Sequence, residues 1–320
     1  MAINKSLIED PFLLVYDSRS GSTFLSNLLV KSAPIAIAPE SDFISAIIQN
    51  YRQKIITDKQ DLENILEITF SDQKFSDWNL DCDEIYKYIQ LNSPTSIRDF
   101  ILLICTLYKE KKFPDSKVFG IKKSTYLKLH RTINKLFPQS KFISIVRDGR
   151  AVFNSKKNSI YSVTGKPFET NPYSAALEWS KILKLIREVD QNYPGRMAIV
   201  QYEQMIQEPE ATVKTLCQFL GIKSSETNNQ YSIPDRYGKD LHKNIHKEPL
   251  VDRIEAWQQD LSDREILAFE VVSHQDLLLE SYELLHSRVV VTMLGLFWKI
   301  FLYVKVCLKE FLIWTGIKQY

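Results

Sequence analysis

The chain has 320 residues, of which 44% are hydrophobic and 25% are charged. This is the composition of an ordinary globular protein with enough apolar residues for a large core. The formal net charge of +2 argues against a nucleic-acid partner, and the four cysteines are too few for a disulfide framework. The first residues lack the pattern of a secretory signal, so we expect the chain on the cytoplasmic side.

Apolar runs that end in short polar loops mark the predicted strands. The first run, Phe12–Tyr16, leads through a polar loop to a helix that begins at Thr23, and a short strand at 34–39 ends at Glu40. Residues 43–113 are helical and polar in pattern and contain no glycine, which predicts a helical insertion rather than a flexible linker.

Strands and helices alternate after the insertion. Further strands are predicted at 117–121, 141–146 and 196–201, with helices ending near 138 and at 150–157, 173–192 and 209–220. This alternation predicts a mainly parallel sheet within an α/β fold.

A loop of small polar residues, Ser18–Thr23, joins the first strand to the first helix. The N-terminus of a helix offers unpaired N–H groups to an anion. Gly21 allows close approach of the backbone, Ser22 and Thr23 add hydroxyl groups, and Arg19 adds a fixed positive charge. The loop therefore predicts an anion site, although a capped helix after a turn would show similar residues. It lacks the GxxxxGK[ST] pattern of ATP- and GTP-binding loops.

A second anion site is predicted where the strand FISIV ends at Arg147. Ser155 lies eight residues later, so the two side chains fall near the same helix face. In the alternative interpretation, Asp148 caps the helix and Arg147 is a surface charge. Two anion sites at the carboxyl ends of parallel strands suit a nucleotide with phosphates at two positions.

The two motifs resemble those of the sulfotransferase superfamily, in particular its tyrosylprotein and carbohydrate branches. SRSGSTFLSNLL is similar to the 5′-phosphosulfate loop, usually PRSGTT, and KFISIVRDGRAVFNS is similar to the 3′-phosphate motif. The resemblance runs from about Phe12 to Gly221. It implies a P-loop-like three-layer α/β/α fold, with 3′-phosphoadenosine-5′-phosphosulfate as co-substrate and no metal. We expect a sulfotransferase domain at 1–285, with the acceptor-side insertion at 43–113, and an apolar amphipathic C-terminal helix at 286–320.

The resemblance also implies a role for each matching residue. The 5′-phosphosulfate ligands would be Arg19, Ser20, Gly21, Ser22 and Thr23, the 3′-phosphate ligands Arg147 and Ser155, and the further nucleotide contact Tyr202. Glu40 would be the catalytic base, at the position where the tyrosylprotein branch has a Glu. Lys122 would steady the leaving phosphate, although Lys123 beside it is an alternative. A solvated carboxylate at a strand end is the alternative for Glu40.

The sequence departs from the family pattern in three places. Ser18 replaces the usual Pro, and Ser159 stands where the tyrosylprotein branch has a further Arg, whose charge Lys156 or Lys157 would then supply. The late serine-rich nucleotide loop has no clear counterpart. The candidates for it are Lys239, His242 and Lys243.

These motifs predict sulfuryl transfer to an acceptor hydroxyl by in-line displacement, with Glu40 as the base. We expect the acceptor to be a carbohydrate or lipid-linked molecule, while a peptide tyrosine stays open. Two other functions also stay open: a P-loop-like small-molecule kinase, which would need the missing loop lysine, and a membrane-associated nucleotide-binding protein without turnover.

The segment 289–314 is apolar except for a narrow polar arc. That arc spans about 140° of a helical wheel; its members are Arg288, Thr292, Lys299, Lys305, Lys309 and Glu310. Lys299 interrupts the apolar run too early for a conventional transmembrane helix of about 20 apolar residues. The pattern suits a helix in a membrane interface, on the inner face of a membrane. Packing on the domain and a homodimer contact stay open.

Overall fold

The computed structural model describes residues 7–51, 55–161, 164–227, 229–231 and 251–314. Its strands are β1 (Phe12–Tyr16), β2 (Ile35–Ile37), β3 (Val118–Lys122), β4 (Phe142–Val146), β5 (Ile160–Tyr161), β6 (Lys166–Pro167) and β7 (Met197–Gln201). Five of them form one sheet in the order β2-β3-β1-β4-β7, and its four pairings are all parallel. β5 and β6 form a small antiparallel pair.

The core of the protein lies around the central strands of this sheet. Every residue of β1 and β4 is buried, because an apolar run without alternation can be covered on both faces. The predicted α/β fold with a parallel sheet and helical layers is therefore confirmed. The strand bounds differ from the predicted ones by a few residues, so that Lys122 is the last residue of β3 rather than the first after it.

The helices fill the segments between the strands. They are α1 (Ser22–Ser32), α2 (Phe43–Asn50), α3 (Lys59–Ser71), α4 (Cys82–Asn92), α5 (Ile97–Lys112), α6 (His130–Leu136), α7 (Gly149–Lys157), α8 (Pro172–Asn192), α9 (Tyr202–Gln207), α10 (Pro209–Leu220), α11 (Trp257–Asp260), α12 (Asp263–Leu279) and α13 (Arg288–Trp314). Short 3-10 helices are present at Phe75–Trp78, Ser124–Leu127 and Val251–Arg253.

Helices α2 to α5 occupy the segment that was predicted as a helical insertion between β2 and β3. Polar residues before three of these helices accept hydrogen bonds from first-turn amides, which explains where the helices begin; they are Asp58, Asp81 and Ser96. The indole of Trp78 is buried and donates a hydrogen bond to the Pro39 carbonyl at 3.1 Å. The insertion is thereby attached to the residue that precedes Glu40.

The chain forms two compact units. The first consists of Met1–Arg147 and Lys184–Val251 and holds the entire five-stranded sheet. The second consists of Asp148–Leu183 and Asp252–Tyr320. The predicted domain boundary at residue 286 stays a prediction, since the two units are divided at other positions of the chain.

A buried ion network lies at the start of α7 in the second unit. Arg150 is 2% exposed, and its guanidinium donates to Asp148 and Glu270 and lies 4.1 Å from the ring centroid of Trp257. Asp148 also accepts a hydrogen bond from the Arg150 amide at 2.8 Å and so caps α7, as the alternative interpretation of this motif has it. Because each charge has a partner of opposite sign, the burial of Arg150 is compensated.

The C-terminal helix α13 agrees with the predicted segment to within one residue at its start. In the part of the chain that the structure describes, no helix combines the length and the apolar character needed to cross a membrane.

Candidate active site

The loop between β1 and α1 curls tightly at the carboxyl end of the central strand. Arg19 has φ 73° and Gly21 has φ 99°, so two of three consecutive residues are left-handed. A Cβ atom at Gly21 would lie 2.5 Å from the ring of Tyr202. Glycine is required there because both the backbone conformation and the close approach of Tyr202 disfavour a side chain.

The start of α1 has the features of an anion site. Among the residues that the structure describes, no side chain caps this helix, and its first turn carries no acidic residue. The Ser20 side chain is 1% exposed, and its hydroxyl has no hydrogen-bond partner among the described residues. A buried hydroxyl without a partner is costly, so a ligand oxygen at this position would satisfy both it and the free helix amides. The arrangement fits a phosphate or phosphosulfate group.

Lys122 brings a buried positive charge to this loop from the end of β3. Its Nζ atom lies 2.9 Å from the Thr23 hydroxyl oxygen. The ammonium group also lies over two aromatic rings, 5.5 Å from the Tyr16 centroid and 5.3 Å from that of Tyr231. Burial lowers the pKa of Lys122 to about 8, although the nearby Glu40 opposes this shift. The neighbouring Lys123 pairs with Asp42 instead.

Glu40 lies three residues beyond β2, and two groups from the other strands contact it. The Tyr16 hydroxyl donates a hydrogen bond to Glu40 Oε1. The same oxygen lies 3.7 Å from Lys122 Nζ, and the Glu40 side chain remains 25% exposed. The carboxylate is therefore held at one oxygen while part of its surface stays open to a second molecule.

Arg147, the main residue of the second predicted anion site, also contacts this loop. Its guanidinium lies 4.2 Å from the centroid of the Tyr202 ring, and its Nη1 atom donates to the Arg19 carbonyl at 3.4 Å. Arg147 is half-buried, and its role as a 3′-phosphate ligand stays a prediction. Tyr202 begins α9 directly after β7, and it thus contacts both Gly21 and Arg147.

Nine of the ten predicted site residues belong to the first unit, and Ser155 belongs to the second. Ser155 is half-buried on α7. The lysines considered as replacements for a family arginine form ion pairs within the second unit, Lys156 with Glu178 and Lys157 with Glu265. The candidates for the late nucleotide loop, Lys239, His242 and Lys243, lie outside the described residues.

Sequence reasoning missed the two tyrosines beside Lys122. The apolar run predicts Tyr16 only as part of a buried strand, although it is the aromatic residue at the carboxyl end of β1 and ends with a polar hydroxyl. That position was the available signal. Tyr231 follows no pattern that could have indicated it.

The first unit thus combines an uncapped helix terminus, a buried lysine and a half-open carboxylate. Such a set can bind an anion, stabilise negative charge that develops on it, and accept a proton from a neighbouring hydroxyl. Among the described residues, no group of three or more His, Cys, Asp or Glu could hold a metal ion.

Comparison with known proteins identifies the family. The model of the Sulfotransferase family matches residues 11–226, which is more than half of the chain. Protein-tyrosine sulfotransferase 2 of Gallus gallus is 34% identical over 111 residues, 34% of this chain and 28% of the relative. Protein-tyrosine sulfotransferase 1 of Danio rerio is 32% identical over 105 residues, 32% of this chain and 27% of the relative. The matches thus span less than a third of these relatives.

A solved structure shares the fold. The sulfotransferase domain from the curacin biosynthetic pathway superposes with a TM-score of 0.57 at 17% identity, covering 87% of this chain and all of that domain. The matched range 11–226 includes both predicted anion motifs and extends through the sheet from β1 to β7. This chain belongs to the sulfotransferase family.

Proposed function

We propose that this protein transfers a sulfuryl group from 3′-phosphoadenosine-5′-phosphosulfate to an acceptor hydroxyl. The observation that carries the proposal is the position of Lys122. Its ammonium group lies 2.9 Å from Thr23 in the anion loop and 3.7 Å from Glu40. The buried ammonium group of Lys122 is therefore close both to the expected position of the leaving phosphate and to the carboxylate that would take the proton.

In the proposed reaction, the acceptor oxygen forms a bond to sulfur while the bond from sulfur to the bridging phosphate oxygen breaks. The electron pair of that bond stays on the phosphate, and the acceptor proton passes to Glu40. Lys122, Arg19 and the first amides of α1 stabilise the charge on the leaving phosphate. The Tyr16 hydroxyl donates a hydrogen bond to one oxygen of Glu40 and fixes the orientation of the carboxylate.

The 3′-phosphate is assigned to Arg147, supported by its half-buried guanidinium against Tyr202 and the loop. Tyr202 also packs on Gly21, so the same ring supports both Arg147 and the loop Ser18–Thr23. The assignment of Ser155 to the same phosphate rests on the resemblance of the sequence motif alone.

The acceptor is a hydroxyl-bearing molecule. The two matched relatives are named protein-tyrosine sulfotransferases, which supports a peptide tyrosine as an acceptor to test beside the carbohydrate or lipid-linked acceptor expected from the sequence. Because the matches cover less than a third of each relative, both acceptor classes enter the test.

The test is incubation of the protein with sulfur-labelled donor and three acceptor sets: tyrosine peptides, oligosaccharides, and fractions of a cell lysate. We expect label in one acceptor class, and none when Glu40→Gln replaces the wild type. Donor binding without transfer to any set would favour the nucleotide-binding protein without turnover. Transfer of the γ-phosphate from labelled ATP, tested in parallel, would favour the kinase.

A further inference from the structure

The C-terminal helix α13 (Arg288–Trp314) leaves a broad apolar face uncovered. Nine of its apolar side chains between Val289 and Val304 are more than a third exposed, with Val289 at 68%, Phe297 at 64% and Leu296 at 60%. An apolar surface of this size is unusual on a soluble monomer and marks a site of interaction.

This helix packs on its own unit by a different face. Val291 is fully buried, and at Gly295 a Cβ atom would lie 2.8 Å from the Val271 carbonyl of α12. Trp298 stacks on Tyr173 with ring centroids 4.4 Å apart. With 3.6 residues per turn, these three positions fall within an arc of about 60°, and the nine exposed positions fall within a separate arc of about 160°.

Packing within the unit therefore does not account for the apolar face. Among the described residues, these contacts of α13 are made by a valine, a glycine and the stacked ring of Trp298, on the side where the sequence also places its charged residues. If packing alone had shaped the helix, its large apolar residues would be expected on the buried side.

The charge of the helix indicates what covers this face. The sequence of α13 has four basic residues, Arg288, Lys299, Lys305 and Lys309, and one acidic residue, Glu310, so its net charge is 4 − 1 = +3. A second copy of the helix would carry the same net charge, which opposes association through long-range repulsion. A bilayer with anionic headgroups attracts the same charges and accepts the apolar face at the boundary of its acyl chains.

We propose that α13 is a membrane-interface helix that lies along an anionic lipid surface and holds the protein there. At 1.5 Å per residue its 27 residues extend about 40 Å, enough for a long contact line. This inference does not depend on sulfuryl transfer, because every residue of the proposed active site lies outside α13.

The test is cosedimentation of the full chain with vesicles of phosphatidylcholine containing phosphatidylserine. The variant Phe297→Asp with Phe301→Asp places two charges on the exposed face, while Ile55→Asp with Leu91→Asp is the matched control at 63% and 71% exposure elsewhere. We expect at least a tenfold loss of binding for the first variant and little change for the control. Unchanged melting curves for both show that the fold is intact, as the exposure of the substituted residues predicts.

Two further arms separate lipid from protein partners. Replacing phosphatidylserine by neutral lipid, or changing Lys305→Gln with Lys309→Gln to lower the net charge of the helix, should weaken binding by roughly fivefold for each charge removed. The proposal is overturned if the wild type does not sediment with anionic vesicles, or if the aspartate variant binds as well as the wild type. A solution dimer that this variant converts to a monomer would identify a second copy as the partner and also overturn it.

Discussion

The carboxylate of Glu40 receives a hydrogen bond from Tyr16 and lies near the ammonium of Lys122, and the two neighbours affect it differently. The hydrogen bond from Tyr16 fixes the orientation of the carboxylate, whereas the positive charge of Lys122 would attract both the carboxylate and a bound phosphate. The position of Glu40 after the second strand was predictable from the resemblance. The contact between Glu40 and Tyr16 was not predictable, because β3 lies between β1 and β2 and only the strand order brings the two residues together.

Glu40→Gln keeps the shape of the side chain and removes the proposed proton acceptor. We expect turnover to fall by roughly a hundredfold or more. Donor affinity should not fall, because the substitution removes a negative charge from the neighbourhood of Lys122. Steady-state kinetics with the true acceptor, and calorimetric titration with adenosine 3′,5′-bisphosphate, measure the two effects. Normal turnover of the variant would assign the base to another residue.

Tyr16→Phe removes only the hydroxyl that donates to Glu40. We expect kcat to fall by about tenfold, near the value of one hydrogen bond to a charged group, with an unchanged KM for the donor. If Tyr16 acts by positioning Glu40, the same substitution should have little further effect in the Glu40→Gln background. Equal losses in both backgrounds would show that the tyrosine supports the fold rather than the base.

Arg147→Ala tests the assignment of the 3′-phosphate. The substitution should weaken adenosine 3′,5′-bisphosphate by roughly tenfold to a hundredfold, the value of a charge-assisted hydrogen bond. Adenosine 5′-monophosphate lacks the 3′-phosphate and should lose much less affinity. Thermal shift titrations with both nucleotides give the comparison. An equal loss for the two ligands would place Arg147 elsewhere on the nucleotide.

At the scale of elements, the strands were predictable because β1 and β4 are continuous apolar runs, which only a doubly covered sheet can bury. The position of the loop Ser18–Thr23 was also predictable, since its polar residues stand between such a run and a helix; its binding of an anion stays a prediction. The left-handed conformation of Arg19 was not predictable, because arginine has no preference for it. This conformation accompanies the tight turn of the loop, in which the Arg19 carbonyl accepts a hydrogen bond from Arg147 and Gly21 lies against Tyr202.

Gly21→Ala tests this turn against a matched control. Gly21 and Gly195 both have a left-handed backbone. An added Cβ would meet Tyr202 at Gly21, whereas at Gly195 no atom of the described part of the chain lies within 4 Å of it. Each substitution should therefore destabilise the fold by about 1–2 kcal/mol through backbone strain. Only Gly21→Ala should also weaken adenosine 3′,5′-bisphosphate, by about tenfold or more, if moving Tyr202 costs one charge-assisted contact. Similar binding by the two variants would show that the loop tolerates displacement of Tyr202.

At the scale of the whole molecule, the chain passes between the two units after residues 147, 183 and 251. The first of these positions lies between Arg147 and Asp148, inside the second anion motif, and the next lies inside α8. Neither position has the run of glycine, proline or small polar residues that predicts a linker. The division was invisible in the sequence because it depends on packing between segments distant along the chain.

Lys122 couples the stability of the whole protein to pH. Its pKa is about 8 in the folded protein and near its ordinary value of 10.5 in the unfolded chain. Between these values the unfolded chain binds a proton that the folded protein does not, so this lysine's contribution to the free energy of unfolding rises with pH. Below pH 8 both states are protonated, and the full destabilising effect of the buried charge is present.

Lys122→Met removes that titration and keeps the length and apolar stem of the side chain. We expect the wild type to gain stability relative to this variant as pH rises from about 8 to about 10, by at most about 1.4 kcal/mol per pH unit. Urea unfolding of both proteins across this range measures the difference, and parallel pH curves would contradict a titrating Lys122. An anionic ligand beside Lys122 favours its protonated form, so binding of adenosine 3′,5′-bisphosphate near pH 8.5 should take up protons. Calorimetry in buffers of different ionisation enthalpy detects this uptake, which should be absent from Lys122→Met.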